Sequence, residues 1–155
     1  MPKSIDPGAT RRNVLAAGGI ALAALGVPCS ADAADMTAAE KVNVQVVDDF
    51  CAAFSGHNLE HIMSFFADPC AYRVVETQEP YKGRQAVADR IRGSLERVGR
   101  FEVIESFARG PMVFNERWDS FTEGPLKKWH GVGVFFLKDG KIVEWYDYTI
   151  SMERA

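Results

Sequence analysis

Apolar residues recur first at helical and then at strand spacing, and this change of period divides the chain. Val42, Val46, Phe50 and Phe54, with Val47 and Cys51 beside them, form one apolar stripe of a helix. Thr37-Ala38-Ala39-Glu40 is a capping box that opens that helix, and Gly56-His57-Asn58 closes it. A short second helix is expected from about Leu59, with Ile62, Phe65 and Phe66 inward and Asp68-Pro69 as its stop. Residues 70–75 are aromatic and β-branched and read as a strand, with Tyr72 and Val74 on one face. After a polar loop, Gly83-Arg84 leads into a third helix, in which Val87, Ile91, Leu95 and Val98 recur every three to four residues. The remainder reads as sheet: an extended run over 101–108, a Gly110-Pro111 turn, a strand over 112–121, a Glu123-Gly124-Pro125 turn, and a strand over 128–137. Asp139-Gly140 then forms a two-residue hairpin into 141–151. Helices first and a four-strand meander last predict an α+β domain, with the helices on one face of a curved sheet around a pocket.

The first thirty-odd residues do not fit that domain. Thr10-Arg11-Arg12-Asn13-Val14-Leu15 is a twin-arginine pattern, and an uncharged apolar and glycine run follows from Val14 to Val27. Ala31-Asp32-Ala33 carries small residues at the usual cleavage offsets, so residues 1–33 are expected to be a cleaved signal and residues 34–155 a single exported, periplasmic domain. Its loss removes three basic and two acidic side chains, taking the formal charge from -3 to -4. A mildly acidic domain without a basic stripe argues against nucleic acid, and without a second long apolar run it argues against a membrane span. At 47% hydrophobic and 25% charged, the chain can bury a core. Export also gives the cysteines two readings: Cys51 and Cys70 either pair in the oxidising periplasm or remain two separately buried thiols.

Two strands carry candidate chemistry. In 115–121, alternation puts Arg117, Asp119 and Phe121 on one face and Glu116, Trp118 and Ser120 on the other. In 144–148 it puts Trp145 and Asp147 together. If these faces coincide in one sheet, two carboxyls flank a guanidinium among aromatics, which is equipment for acid and base work; the competing reading is a set of ordinary solvated edge charges. His57 and His61 lie four apart but across a helix break, so they make a poor metal pair. His130 points into the pocket or out of it according to the register of its strand.

The order of these elements, with Tyr72 on its strand, Tyr81-Lys82-Gly83-Arg84 before a helix, Glu116-Arg117-Trp118-Asp119, Asp139-Gly140-Lys141-Ile142 and Trp145-Tyr146-Asp147-Tyr148, resembles the limonene-1,2-epoxide hydrolase family within the NTF2-like, SnoaL-like superfold. The resemblance spans about residues 42–152. It implies an NTF2-like cone, a curved mixed sheet with three to four helices on its concave face, and a homodimer packed sheet against sheet. It also implies one-step addition of water to a small or medium apolar epoxide, with neither metal nor cofactor. By the same resemblance Asp147 is the general base, Asp119 the general acid, Arg117 the bridge between them and Tyr72 a group that places the water. Val74, Trp145, Phe121, Ile91 and Leu95 are expected to line the pocket. The family has an asparagine two residues after the strand tyrosine, where this chain has Val74. Three outcomes are open there: Tyr72 and Asp147 hold the water alone, Glu76 replaces the amide, or the same carboxyls serve a lyase, isomerase or cyclase that uses no water. A non-catalytic ligand-binding module is the remaining alternative.

Overall fold

The computed structural model describes residues 35–155, so the twin-arginine segment and its cleavage point after Ala33 lie outside the described residues. The first helix, α1 (Ala38–Ala53), starts at the expected capping box: Thr37 Oγ1 accepts from the Glu40 N–H at 3.2 Å, and Glu40 Oε2 accepts from the Thr37 N–H at 2.7 Å. The other Glu40 oxygen accepts from the Gly110 N–H at 2.8 Å, which ties the start of α1 to a distant turn. Val47, Phe50 and Cys51 are buried along α1. Val42 is exposed, because it stands about 80° round the helix from Phe50. A 3-10 turn (Phe54–Gly56) follows, His57 turns left-handed, and Asn58 caps α2 (Leu59–Ser64) by accepting from the His61 N–H at 3.0 Å.

The strands are β1 (Phe66–Arg73), β2 (Tyr81–Lys82), β3 (Val98–Arg109), β4 (Met112–Phe121), β5 (Leu126–Lys138) and β6 (Lys141–Arg154), with α3 (Arg84–Leu95) between β2 and β3. They form one mixed sheet in the order β2-β1-β6-β5-β4-β3, in which only β1 and β6 run parallel. The β5–β6 hairpin turns on Asp139 and Gly140, both at positive φ (52° and 71°), as a two-residue turn that matches strand twist requires. Helix α1 packs on β3 and β4, and α3 on β1. Phe50 sits between helix and sheet, edge-on to Phe54, Phe66, Phe135 and Trp145 at centroid distances of 5.1 to 5.8 Å.

Two expected element boundaries need correction, and the cysteines take one of their two readings. Asp68-Pro69 does not stop α2, which ends at Ser64; Pro69 lies inside β1, where the β1–β6 register shifts between Phe66 and Ala71, and a proline without an N–H is tolerated at such an irregularity. Val98 is not the last turn of α3 but the first residue of β3. Its burial satisfies either period, so spacing could not separate them. Cys51 and Cys70 are both free. The Cys51 thiol instead donates to Asn115 Oδ1 at 3.6 Å, and burial pushes its pKa up to about 12, while Cys70 is buried separately on β1.

Candidate active site

Alternation along β4 turns Asn115, Arg117 and Asp119 to the helix side of the sheet, where all three are buried. Along β6 it does the same for Trp145 and Asp147. These strands are not neighbours, because β5 lies between them, pairing Gly133 with both Asn115 and Asp147 and Gly131 with Arg117. The Arg117 side chain crosses β5 over Gly133, where an added Cβ would lie 2.6 Å from Arg117 Nη1. A glycine there leaves room for the guanidinium to reach the second carboxylate.

The guanidinium makes the bridge. Arg117 Nε donates to Asp119 Oδ1 at 2.9 Å, and Nη2 donates to Asp147 Oδ1 at 2.9 Å and, more weakly, to Asp119 Oδ2 at 3.4 Å. Behind it Nη1 donates to Asn115 Oδ1 at 3.4 Å, and Asn115 is held by Ser106, which donates to Asp48 at 2.6 Å. The rings of Phe101, Trp129 and Trp145 lie 4.9, 5.0 and 5.5 Å from the guanidinium carbon, so aromatic faces replace the water that this charge loses. Burial disfavours the Arg117 cation, yet Asp119 and Asp147 outweigh it and hold its pKa above the ordinary value.

The two carboxyls differ in their surroundings. Asp147 also accepts from Trp145 Nε1 at 2.7 Å and from the Tyr72 hydroxyl at 3.3 Å, whereas Asp119 has Arg117 as its donor. Burial raises both pKa values, and in Asp119, where Asp147 adds to it, the value reaches about 7 against the pull of Arg117. A buried cation flanked by two anions is relieved by one proton. The extra donors around Asp147 favour its ionised form, so the proton belongs on Asp119. Tyr72 stacks on Trp145 at 3.8 Å, and burial first, then Asp147, keeps its hydroxyl protonated well past the ordinary tyrosine value.

These groups form the floor of a cavity of about 250 Å³. Tyr72, Asp119, Asp147, Trp145, Val74, Phe121 and Ile91 line it as expected, while Arg117 lies behind the two carboxyls. Leu95 does not line it: from Ile91 it is rotated about 40° round α3, away from the side that carries Arg90 and Ser94, and it joins the core. Glu76 does not replace the missing amide, since it is exposed and accepts from the Thr149 N–H at 3.1 Å. His130 faces the other side of the sheet, stacked on Trp118 at 4.3 Å with Glu116 2.8 Å away. Asn115, Gly133 and Trp129 were not singled out from sequence. Strand alternation already put Asn115 with Arg117, but Trp129 opposite Asp119 needs the β4–β5 register.

The comparisons agree with this geometry at the level of the fold. The SnoaL-like domain family matches residues 47–145. An LEH-like epoxide hydrolase from M. tuberculosis superposes with a TM-score of 0.64 at 26% identity, over 72% of this chain and 84% of that one. A putative polyketide cyclase from Xanthomonas campestris pv. campestris superposes at 0.59 with 18% identity, over 70% and 90%. A de novo designed protein with a curved β-sheet reaches 0.61 at 19% identity, over 74% and 88%, so the shape alone does not carry an activity. The six-stranded mixed sheet with its helices on one side and the matched span together establish that the chain belongs to the SnoaL-like family, with the NTF2-like fold.

Proposed function

We propose that the protein is an epoxide hydrolase that adds water to an epoxide in one step, using Asp147 as general base and Asp119 as general acid. The observation that carries this reading is the unequal pair of carboxyls on one guanidinium at the cavity floor. Opening a neutral three-membered ring requires a proton to leave the attacking water while another reaches the ring oxygen, and one ionised plus one protonated carboxyl meets both needs. Among the described residues Asp147 Oδ2 is engaged by the Tyr72 hydroxyl alone, so it is the oxygen free to take the proton, and Tyr72 helps seat the water. Asp119 gives its proton to the epoxide oxygen as the carbon–oxygen bond breaks, and the diol forms. The proton then returns from Asp147 to Asp119 through solvent in the emptied cavity. Arg117 keeps its charge throughout and fixes the spacing of the pair through its rigid fork.

Val74 favours a second reading. It puts an apolar wall at the place where the resembled family has a water-holding asparagine. With a hydroxyl or an acidic C–H of the substrate in place of water, the same pair serves a cyclase, lyase or isomerase. Isotope-labelled water separates the two: a panel of epoxides should yield diols that carry the solvent oxygen, and unlabelled cyclic or rearranged products would establish the second reading instead. Asp147→Asn and Asp119→Asn should each lower kcat by about 10²–10⁴-fold with the circular dichroism unchanged. Unaltered turnover in either variant would overturn the assignment.

A further inference from the structure

The same cavity holds two cations that the acid–base pair does not use. Arg90 on α3 and Arg97 just beyond it line the wall together with Ser94. Arg90 Nη1 donates to Ser94 Oγ at 3.0 Å, and Arg97 Nη1 passes Gly124 at a distance that would put an added Cβ 3.8 Å away. Among the described residues, neither guanidinium has a carboxylate within 4.0 Å. Away from Asp119 and Asp147, Glu123 is the carboxylate among the described lining residues, so at this end of the cavity two positive charges face one negative charge.

Depth separates this cluster from the floor. Tyr72, Asp119, Trp145 and Asp147 are buried, whereas Arg97 and Glu123 are exposed and mark the mouth, with Arg90 half-buried between the two zones. The Arg90 charge is still felt at the Tyr72 hydroxyl, where it offsets part of the rise that burial imposes. Between mouth and floor the wall is apolar, formed by Ile91, Phe101 and Phe121 among others. An anion cannot settle at the floor, where the ionised Asp147 repels it and desolvation is severe. At the mouth it keeps part of its hydration and gains charge-assisted hydrogen bonds.

We propose that the substrate is amphiphilic: an epoxide on a short or medium apolar chain that ends in a carboxylate, with the head on Arg90 and Arg97 and the chain directed down to Asp119 and Asp147. The proposal rests on this cavity being the substrate site, and it narrows the neutral apolar substrate that the family resemblance implies. A volume of about 250 Å³, just under the range of roughly 300–1,000 Å³ usual for drug-sized ligands, suits such a chain. Anchoring the head would also fix which carbon of the ring meets the water.

Binding tests this without turnover, using octanoate and octanol as probes and the fluorescence of Trp129 and Trp145 or calorimetry as readout. At low salt octanoate should bind about tenfold more tightly than octanol, as charge-assisted contacts predict, and the advantage should shrink as salt is added. In the Arg90→Gln/Arg97→Gln double variant octanoate should fall to the affinity of octanol, while octanol binding is unchanged. Equal affinities in the unmodified protein, or an advantage that survives the double variant, would overturn the proposal. If the double variant loses octanol binding as well, Arg97→Gln alone decides, because its side chain is exposed: a loss of about threefold for octanoate supports the proposal and no change overturns it. Diols formed from neutral epoxides without any octanoate preference would leave the hydrolase reading standing and remove this one. An octanoate preference without diol formation from any epoxide would do the reverse.

Discussion

Asp119 ties the chemistry to pH. Its carboxyl is moved by burial first from 3.8 to about 7. Between these values the folded protein holds a proton that the unfolded chain has released, so stability falls as pH rises through that window. Glu40, Asp89 and Glu102 are held below their ordinary values and act at lower pH. Urea midpoints measured across the window should therefore decline toward neutral pH, and Asp119→Asn should flatten that slope. Activity has the same origin. In its proposed role as general acid Asp119 must be protonated, so kcat/KM should fall as pH climbs through about 7, and a second limb should appear on the acid side as Asp147 takes up its proton. The two limbs belong to the coupled pair rather than to either residue alone.

At the scale of elements, the central strand of the candidate site is the one that carries none of the proposed reacting groups. β5 separates the two strands that carry the carboxyls, and it lets Arg117 pass because Gly133 has no side chain. A Cβ at Gly133 would also lie 2.6 Å from Phe135 Cε2 in the core, so neither neighbour can yield without cost. Gly133→Ala should cost about 1–3 kcal/mol in urea unfolding. By shifting the guanidinium it should lower kcat about a hundredfold. Gly93 provides the contrast. It lies inside α3 with nothing within 4 Å of an added Cβ, so Gly93→Ala should stabilise by about 0.5–1 kcal/mol with kcat and KM unchanged.

For the whole molecule, the sheet has a second face that the helices do not cover. Ile104, Phe107, Tyr148 and Ile150 are 51%, 50%, 42% and 57% exposed, and Phe107 stacks on Phe114 at 4.9 Å. The Arg73 guanidinium lies over Tyr146 and Tyr148, with its Nε and Nη2 shut away from solvent and without an acceptor among the described residues. Large apolar side chains left this exposed mark an interaction surface. We propose that two copies pack through this face as a homodimer, sheet against sheet. Light scattering behind a sizing column should give twice the chain mass, and Phe107→Glu should give a monomer; a monomeric unmodified protein at micromolar concentration would refute the dimer.

Local periodicity determined a good deal by itself. Capping chemistry at Thr37 and Glu40, the Asp139-Gly140 turn, and the shift from helical to strand spacing fixed the α+β order, because each depends on residues close in the chain. Alternation alone put Arg117 with Asp119 and Trp145 with Asp147, and the export signal expected over residues 1–33 is a reading of the sequence alone. Only the tertiary structure decided the rest. Val98 could belong to helix or strand until its partner Phe121 was in place, and Pro69 could lie inside a strand only at a register shift against β6. Cys51 turned to Asn115 rather than to Cys70. Whether Asp119 and Asp147, 28 residues apart, share one guanidinium depended on a third strand between them and on the gap at Gly133, since spacing within a strand carries no information about which strands become neighbours.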